Sequence, residues 1–154
     1  MSRSGLQYLE KTGIDPVTGL AVDIPSALDR TETRRFTSGG VIAIGDVVAF
    51  DTTAAGSARV LTVTKAAIDL LGNDLAVGVA LEVSSAAGTD IDVAVRGYVE
   101  NAACTAGVAL GDGLVASRVS GEVDTYVVTD TGRVFGVALE AEAAGTCDIY
   151  LYGN

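Results

Sequence analysis

From Val41 onward, apolar and polar positions alternate in short runs broken by glycine, aspartate and threonine. In DIDVAVRGYV, Ile91, Val93 and Val95 alternate with Asp92, Ala94 and Arg96, the two-residue period of a half-buried strand. In VFGVALE one face carries Val134, Gly136, Ala138 and Glu140, and the other Phe135, Val137 and Leu139. VIAIGDVVAFD, with a turn at Gly45-Asp46, reads as β structure, as do ARVLTV (Ala58–Val63), LAVGVALEV, GLVASRV, EVDTYVV, RVFGVALEAEA and CDIYLYG. Only KAAIDLLGND (Lys65–Asp74) predicts a helix, capped by Thr64 and stopped at Gly72-Asn73.

Residues 1–39 show no sustained period. Gly5, Gly13, Pro16, Gly19 and Pro25 interrupt scattered apolar residues: Leu6, Tyr8, Leu9, Ile14, Val17, Leu20, Val22 and Ile24. Such a stretch is too apolar for a free linker and too unpatterned to fold alone. It is expected to be an extended N-terminal arm that lies across its own body or a neighbouring subunit, with a β domain at 40–154.

The pentapeptide GVALE occurs at Gly78–Glu82 and again at Gly136–Glu140, inside a longer parallel. AIGDVVAF (Ala43–Phe50) matches ALGDGLVAS (Ala109–Ser117), and LAVGVALEVSSAAGTDIDVAVRG (Leu75–Gly97) matches RVFGVALEAEAAGTCDIYLYG (Arg133–Gly153). The halves, about 41–99 and 107–154, are duplicated supersecondary units, too few for a solenoid. Two such units packed together predict an all-β fold, a compact antiparallel β-barrel or sandwich.

Composition sharpens this. Hydrophobic residues make up 49% of the chain, yet there is no Trp and only three Phe, so the core is built from small and β-branched side chains. The net charge of −10 falls wholly outside residues 1–39, which balance to zero. An acidic body repels nucleic acid and anionic membranes, so neither is expected as a partner. No run of eighteen apolar residues is present, and the first residues lack the apolar stretch of a secretory signal. Cys104 and Cys147 are therefore expected as free, packed thiols in a reducing cytoplasm.

Candidate chemistry is sparse. Asp130-Thr131-Gly132 is the aspartic-protease tripeptide, but the corresponding site in the other half is Gly72-Asn73-Asp74, and a turn is needed there anyway. Without histidine the commonest general base and most zinc sites are lost. Asp90, Asp92 and Asp148, or Glu82 with Glu140, read as solvent-facing carboxylates on strands rather than as cation ligands. No phosphate-binding glycine motif occurs. No catalytic, cofactor-binding or metal residue is assigned, no cofactor is expected, and the chain does not read as an enzyme. Arg34, Arg35 and Phe36 form the one basic cluster, suited to a salt bridge with a neighbouring subunit.

GDVVAFDTTAAG (Gly45–Gly56), the LAVGVALE…AAGTDIDVAVRGYV segment (Leu75–Val99) and GRVFGVALEAEAAGTCDIYLYGN (Gly132–Asn154) together resemble the tailed-phage capsid cement or decoration proteins. That resemblance implies a small β protein without catalytic residues, made in the host cytoplasm and carried on the outer capsid surface of the virion. There it would bind the major capsid protein and stabilise the head, as a homo-oligomer, a trimer in preference to a dimer. Leu6, Tyr8, Leu9, Ile14, Val17, Leu20, Val22, Ile24, Arg34, Arg35 and Phe36 are then the candidate capsid or subunit contacts. A tail or fibre module is the alternative reading, and a small oligomeric β enzyme ranks below it.

Overall fold

A computed structural model describes residues 31–67, 75–127 and 133–153, together with two short strands nearer the N-terminus. The chain divides into two units, Met1–Arg30 and Thr31–Asn154. In the first, β1 (Thr12–Ile14) and β2 (Ala21–Asp23) pair antiparallel, Gly13 opposite Val22 and Ile14 opposite Ala21. The predicted arm therefore holds a local hairpin pairing of its own.

The body begins earlier than the sequence pattern predicts. ETRRFTS, assigned to the arm, is the strand β3 (Glu32–Ser38) of the body's main sheet. Only Phe36 and Ser38 on this strand are buried, so four exposed residues at its start hide its alternation. The strands that follow are β4 (Val47–Phe50), β5 (Thr62–Lys65), β6 (Ala76–Ala80) and the long β7 (Asp90–Ala103). Hydrogen bonding runs β3-β5-β4-β6-β7 and back to β3, closing a five-stranded barrel. All pairings in it are antiparallel except β3 with β5.

The same wrap is then repeated. The far half of β7 pairs with β11 (Thr146–Leu151), and the order continues through β10 (Gly136–Ala138) and β8 (Gly113–Ala116) to β9 (Val123–Thr125). β9 returns to the end of β7 through one parallel bridge, Cys104 with Val123, and the Thr105 N–H donates to the Val123 carbonyl at 2.9 Å. β7 is thus the last strand of the first wrap and the first strand of the second. In each half the opening strand meets the closing strand antiparallel and another strand parallel.

Backbone hydrogen bonds map one half onto the other. Gly45 N donates to Ala80 O at 2.9 Å, and Gly111 N to Ala138 O at 2.8 Å. Asp46 Oδ2 accepts from Ala43 N at 2.6 Å, and Asp112 Oδ2 from Ala109 N at 2.9 Å. Leu81 N reaches Asp92 O at 2.9 Å, and Leu139 N reaches Asp148 O at 2.8 Å. The glycine that opens GVALE is fixed by this packing. A Cβ on Gly78 would stand 1.9 Å from the Ala94 carbonyl oxygen, and one on Gly136 2.8 Å from that of Tyr150. The neighbouring backbone leaves room for hydrogen only.

Two corrections concern local structure. ARVLTV does not run as one strand: Gly56–Val60 is a one-turn 3-10 helix, held by Leu61 N to Ala58 O and by Arg59 Nε to Ala54 O, and β5 starts at Thr62. The predicted helix loses its start, because Lys65 belongs to β5 and Ala66 N donates to Val47 O across the ladder. Residues 68–74 and Asp130-Thr131-Gly132 lie outside the described residues.

Two cores result. Phe36, Ile42, Val48, Val63, Val77, Ala80, Ile91 and Val93 fill the first barrel. Val47, Ala76, Val79 and Ala94, from the other faces of the same strands, pack with the second half around Leu114, Phe135, Ile149 and Leu151. β4, β6 and the near half of β7 form the wall between the cores, so they read as near-continuous apolar runs. On β6 the phase changes at Val77, an extra residue relative to β4, since Val48 faces Gly78 and Ala49 faces Ala76.

Candidate functional site: the mouth of the first barrel

On β3, side chains alternate sides, so the Arg34, Arg35 and Phe36 cluster does not survive folding as a unit. Phe36 points inward, is 8% exposed, and meets Phe50 edge to face with ring centroids 6.1 Å apart. It is a core residue of the described body. Arg35 lies on the outer side, its Nη1 3.2 Å from Asp92 Oδ1 and its Nε 4.0 Å from Asp90 Oδ2. Both arginines of the cluster thus have acidic partners within the chain, and both stay exposed. Arg34 shares the inward side with Phe36, further out, and its Nη2 and Nε take Glu32 Oε1 at 3.0 and 3.2 Å. Of the arm candidates, Ile14 lies on β1 and Val22 on β2, while Leu6, Tyr8, Leu9, Val17, Leu20 and Ile24 are outside the described residues.

Arg34 and Phe36 open onto a cavity of about 410 Å³ that the sequence pattern did not reveal. Phe36, Phe50, Val77 and Val95 form its apolar floor; Glu32, Arg34, Arg96, Tyr152 and Gly153 form its rim. A second, small cavity of about 10 Å³ shares Val77, Val95 and Gly153 with it and is closed by Phe135 and Leu151. Mouths of β-barrels are a common place for binding sites because interior side chains stop short of the rim. Glu32 stands directly across the ladder from Arg96 but turns its carboxylate to Arg34. Among the described residues the Arg96 guanidinium has no hydrogen bond or ion pair. Its aliphatic stem lies over Gly153, where a Cβ would meet Arg96 Cδ at 3.2 Å; that glycine has φ +80°, the left-handed region. The signal available in the sequence was the repeat itself. Arg96 falls where the second half has Tyr152, both just before the closing glycine.

Of the carboxylates weighed as cation ligands, Asp90 and Asp92 are met by Arg35, and the others accept from backbone N–H groups. Glu82 Oε2 accepts from Asp92 N at 3.0 Å, and Glu140 Oε1 accepts from Asp148 N at 3.2 Å. Among the described residues no three acidic or thiol groups converge as metal ligands would. Asp148 also accepts from the Tyr98 hydroxyl and from Asn101 N. That hydrogen bond, with burial and the nearby carboxylates, pushes the Tyr98 phenol up to about 12. The buried thiols lie side by side, both free. Burial pushes the Cys147 thiol up to about 12, helped by the Cys104 thiol, and raises Cys104 as well. A thiol so held stays protonated and is a poor nucleophile.

The geometry of the mouth suits binding: an apolar floor, two guanidiniums at the rim and one carboxylate between them. No family model matches this chain, and no curated protein matches it either.

Proposed function

We propose that this chain is a structural virion protein that binds the outer surface of an icosahedral phage capsid and stabilises the mature head. The observation that carries the reading is the division of the chain into a separate N-terminal unit and a doubled β body. The body holds seven basic against sixteen acidic side chains, a net −9 of the total −10. The three stretches that carry the family resemblance supply the Gly45-Asp46 turn with β4, the β6–β7 pair, and the β10–β11 pair. An acidic, closed body faces solvent well and is badly suited to the DNA side of a shell. The N-terminal unit and Arg34 serve as contacts to the major capsid protein or to further copies of the chain, the latter as trimers at local threefold positions. Bound across several capsomers, such copies add stability through many simultaneous contacts.

Cosedimentation of the purified chain with mature and with unexpanded shells lacking it, read by electron microscopy, tests this. Ordered density on the outside of mature heads is expected. Absence of binding to both shells removes the proposal.

A further inference from the structure

We propose that the mouth of the first barrel is a docking site for an extended polypeptide segment of a partner protein, one that presents an aromatic or branched apolar side chain next to an acidic residue. The inference stands whether or not the chain decorates a capsid.

Backbone pairing supports a polypeptide as the occupant. β3 meets β5 only at Thr37 and Ser38, so among the described residues that edge of β3 carries no strand from Glu32 to Phe36. Thr37 N donates to Leu61 O at 2.8 Å and Gly39 N to Val63 O at 2.7 Å across this edge. By the two-residue period, the N–H of Arg35, and of Thr33 before it, point the same way with no strand to receive them. The chain that would have continued β5 along this edge is instead wound into the 3-10 turn Gly56–Val60. An added strand takes that vacated position, its backbone on the β3 edge and an alternate side chain in the pocket.

The cavity supports the anchor. Its floor of Phe36, Phe50, Val77 and Val95 has room for one large side chain, and the two phenyl rings offer an edge-to-face contact. The rim supports the acid. Among the described residues Arg96 is unengaged and Arg34 is held only by an exposed Glu32, which a ligand carboxylate can replace. On a body of net −9, a mouth carrying two guanidiniums stands out as the place that accepts an anion.

The second half is an internal control. Where the first has Arg34, Phe36, Phe50, Val77, Val95 and Arg96, the ladder registers and the repeat give it Val99, Ala102, Ala116, Phe135, Leu151 and Tyr152. There Ala102, Ala116 and Leu151 are at most 1% exposed and Phe135 is 8% exposed, all within one packed core. The first half thus departs from its own copy in both respects: its floor is left open, and its rim is positive.

The test uses the full chain and calorimetric titration with an acetylated pentapeptide, Val-Asp-Phe-Asp-Val, against the same peptide with lysine for both aspartates. Saturable binding of the acidic peptide is expected, about tenfold or more tighter than that of the basic one. Arg96→Glu, an exposed change that leaves the core alone, weakens it about tenfold, and Glu32→Gln tightens it. Val77→Phe with Val95→Leu copies the second half into the mouth and abolishes binding, with a cooperative thermal transition showing that the variant is folded. Equal affinity for both peptides, no binding of either, or unchanged binding by Arg96→Glu overturns the proposal.

Discussion

Asp46 and Asp112 hold the same place in the two halves of the body, each taking a backbone N–H three residues upstream, yet they are neutralised differently. Asp46 Oδ2 receives Lys65 Nζ at 2.8 Å, and Asp112 Oδ2 receives the Thr125 hydroxyl at 2.9 Å. Lys65 and Thr125 both sit at the equivalent ends of β5 and β9. A like contrast recurs at the outer aspartates: Asp92 is met by Arg35, whereas Asp148 is met by Tyr98 and Asn101 N. Charged partners in the first half are replaced by neutral ones in the second, while the backbone hydrogen bonds stay the same. Duplication has preserved what defines the wrap, and the side chains free to change are those that close or open a surface.

The sharpest way to break the comparison is to add one methyl group to each repeat glycine. Gly78→Ala drives a Cβ into the Ala94 carbonyl, whose carbon is also only 2.9 Å away, and backbone on both sides of β6 prevents relief. A loss of about 3 kcal/mol or more is expected, or failure to fold. Gly136→Ala faces a 2.8 Å approach at a three-residue strand and is expected to cost about 1–2 kcal/mol. Urea unfolding of both variants decides this. Equal losses would mean that the two wraps tolerate crowding alike.

A smaller effect is expected at the paired aspartates. Asp46→Ala removes the cap on Ala43 N and leaves Lys65 without its partner at a site where Asp46 is 7% exposed. About 2 kcal/mol is expected, with Lys65 partly relieved by solvent. Asp112→Ala loses two hydrogen bonds at a half-buried site, for about 1 kcal/mol. Thermal unfolding in high salt should bring the Asp46→Ala loss down towards that of Asp112→Ala, since only the Asp46 pair is screened.

What was legible in the sequence follows from the same contrast. The β class, the repeat and the Gly-Asp turns could be read because they rest on local period and on glycines that backbone contact demands. The barrel's closure could not, because it depends on β3, whose exposed residues Glu32–Arg35 mask its alternation, and on pairings with β5 and β7 far along the chain. The start of the predicted helix failed for a related reason. Lys65 and Ala66 fit a helical pattern, but Val48 and Val47 offer them ladder partners that only the folded sheet supplies. The mouth stayed hidden because its residues come from five separate segments. Arg34 was singled out, but for a surface role.

The smallest effect concerns the outer aspartates and is read by alkali. Tyr98 donates its hydroxyl to Asp148, and its phenol is raised to about 12, first by that hydrogen bond and then by burial. Ionised tyrosinate would face Asp148, Glu100 and Glu140, so folding holds the proton that the unfolded chain releases near pH 10. The stabilisation is therefore whole below about pH 10 and fades as pH climbs towards 12, because the unfolded state alone gains from deprotonation in that window. Titration at 295 nm should show a late-ionising tyrosine in the native chain, and Asp148→Asn should bring that late step down towards pH 10. Arg35→Ala, which frees the equivalent Asp92, should leave the tyrosine titration unchanged and cost under about 1 kcal/mol, because that pair is exposed. If Asp148→Asn leaves the late tyrosine in place, burial and not the carboxylate holds the proton, and the two aspartates differ less than their partners suggest.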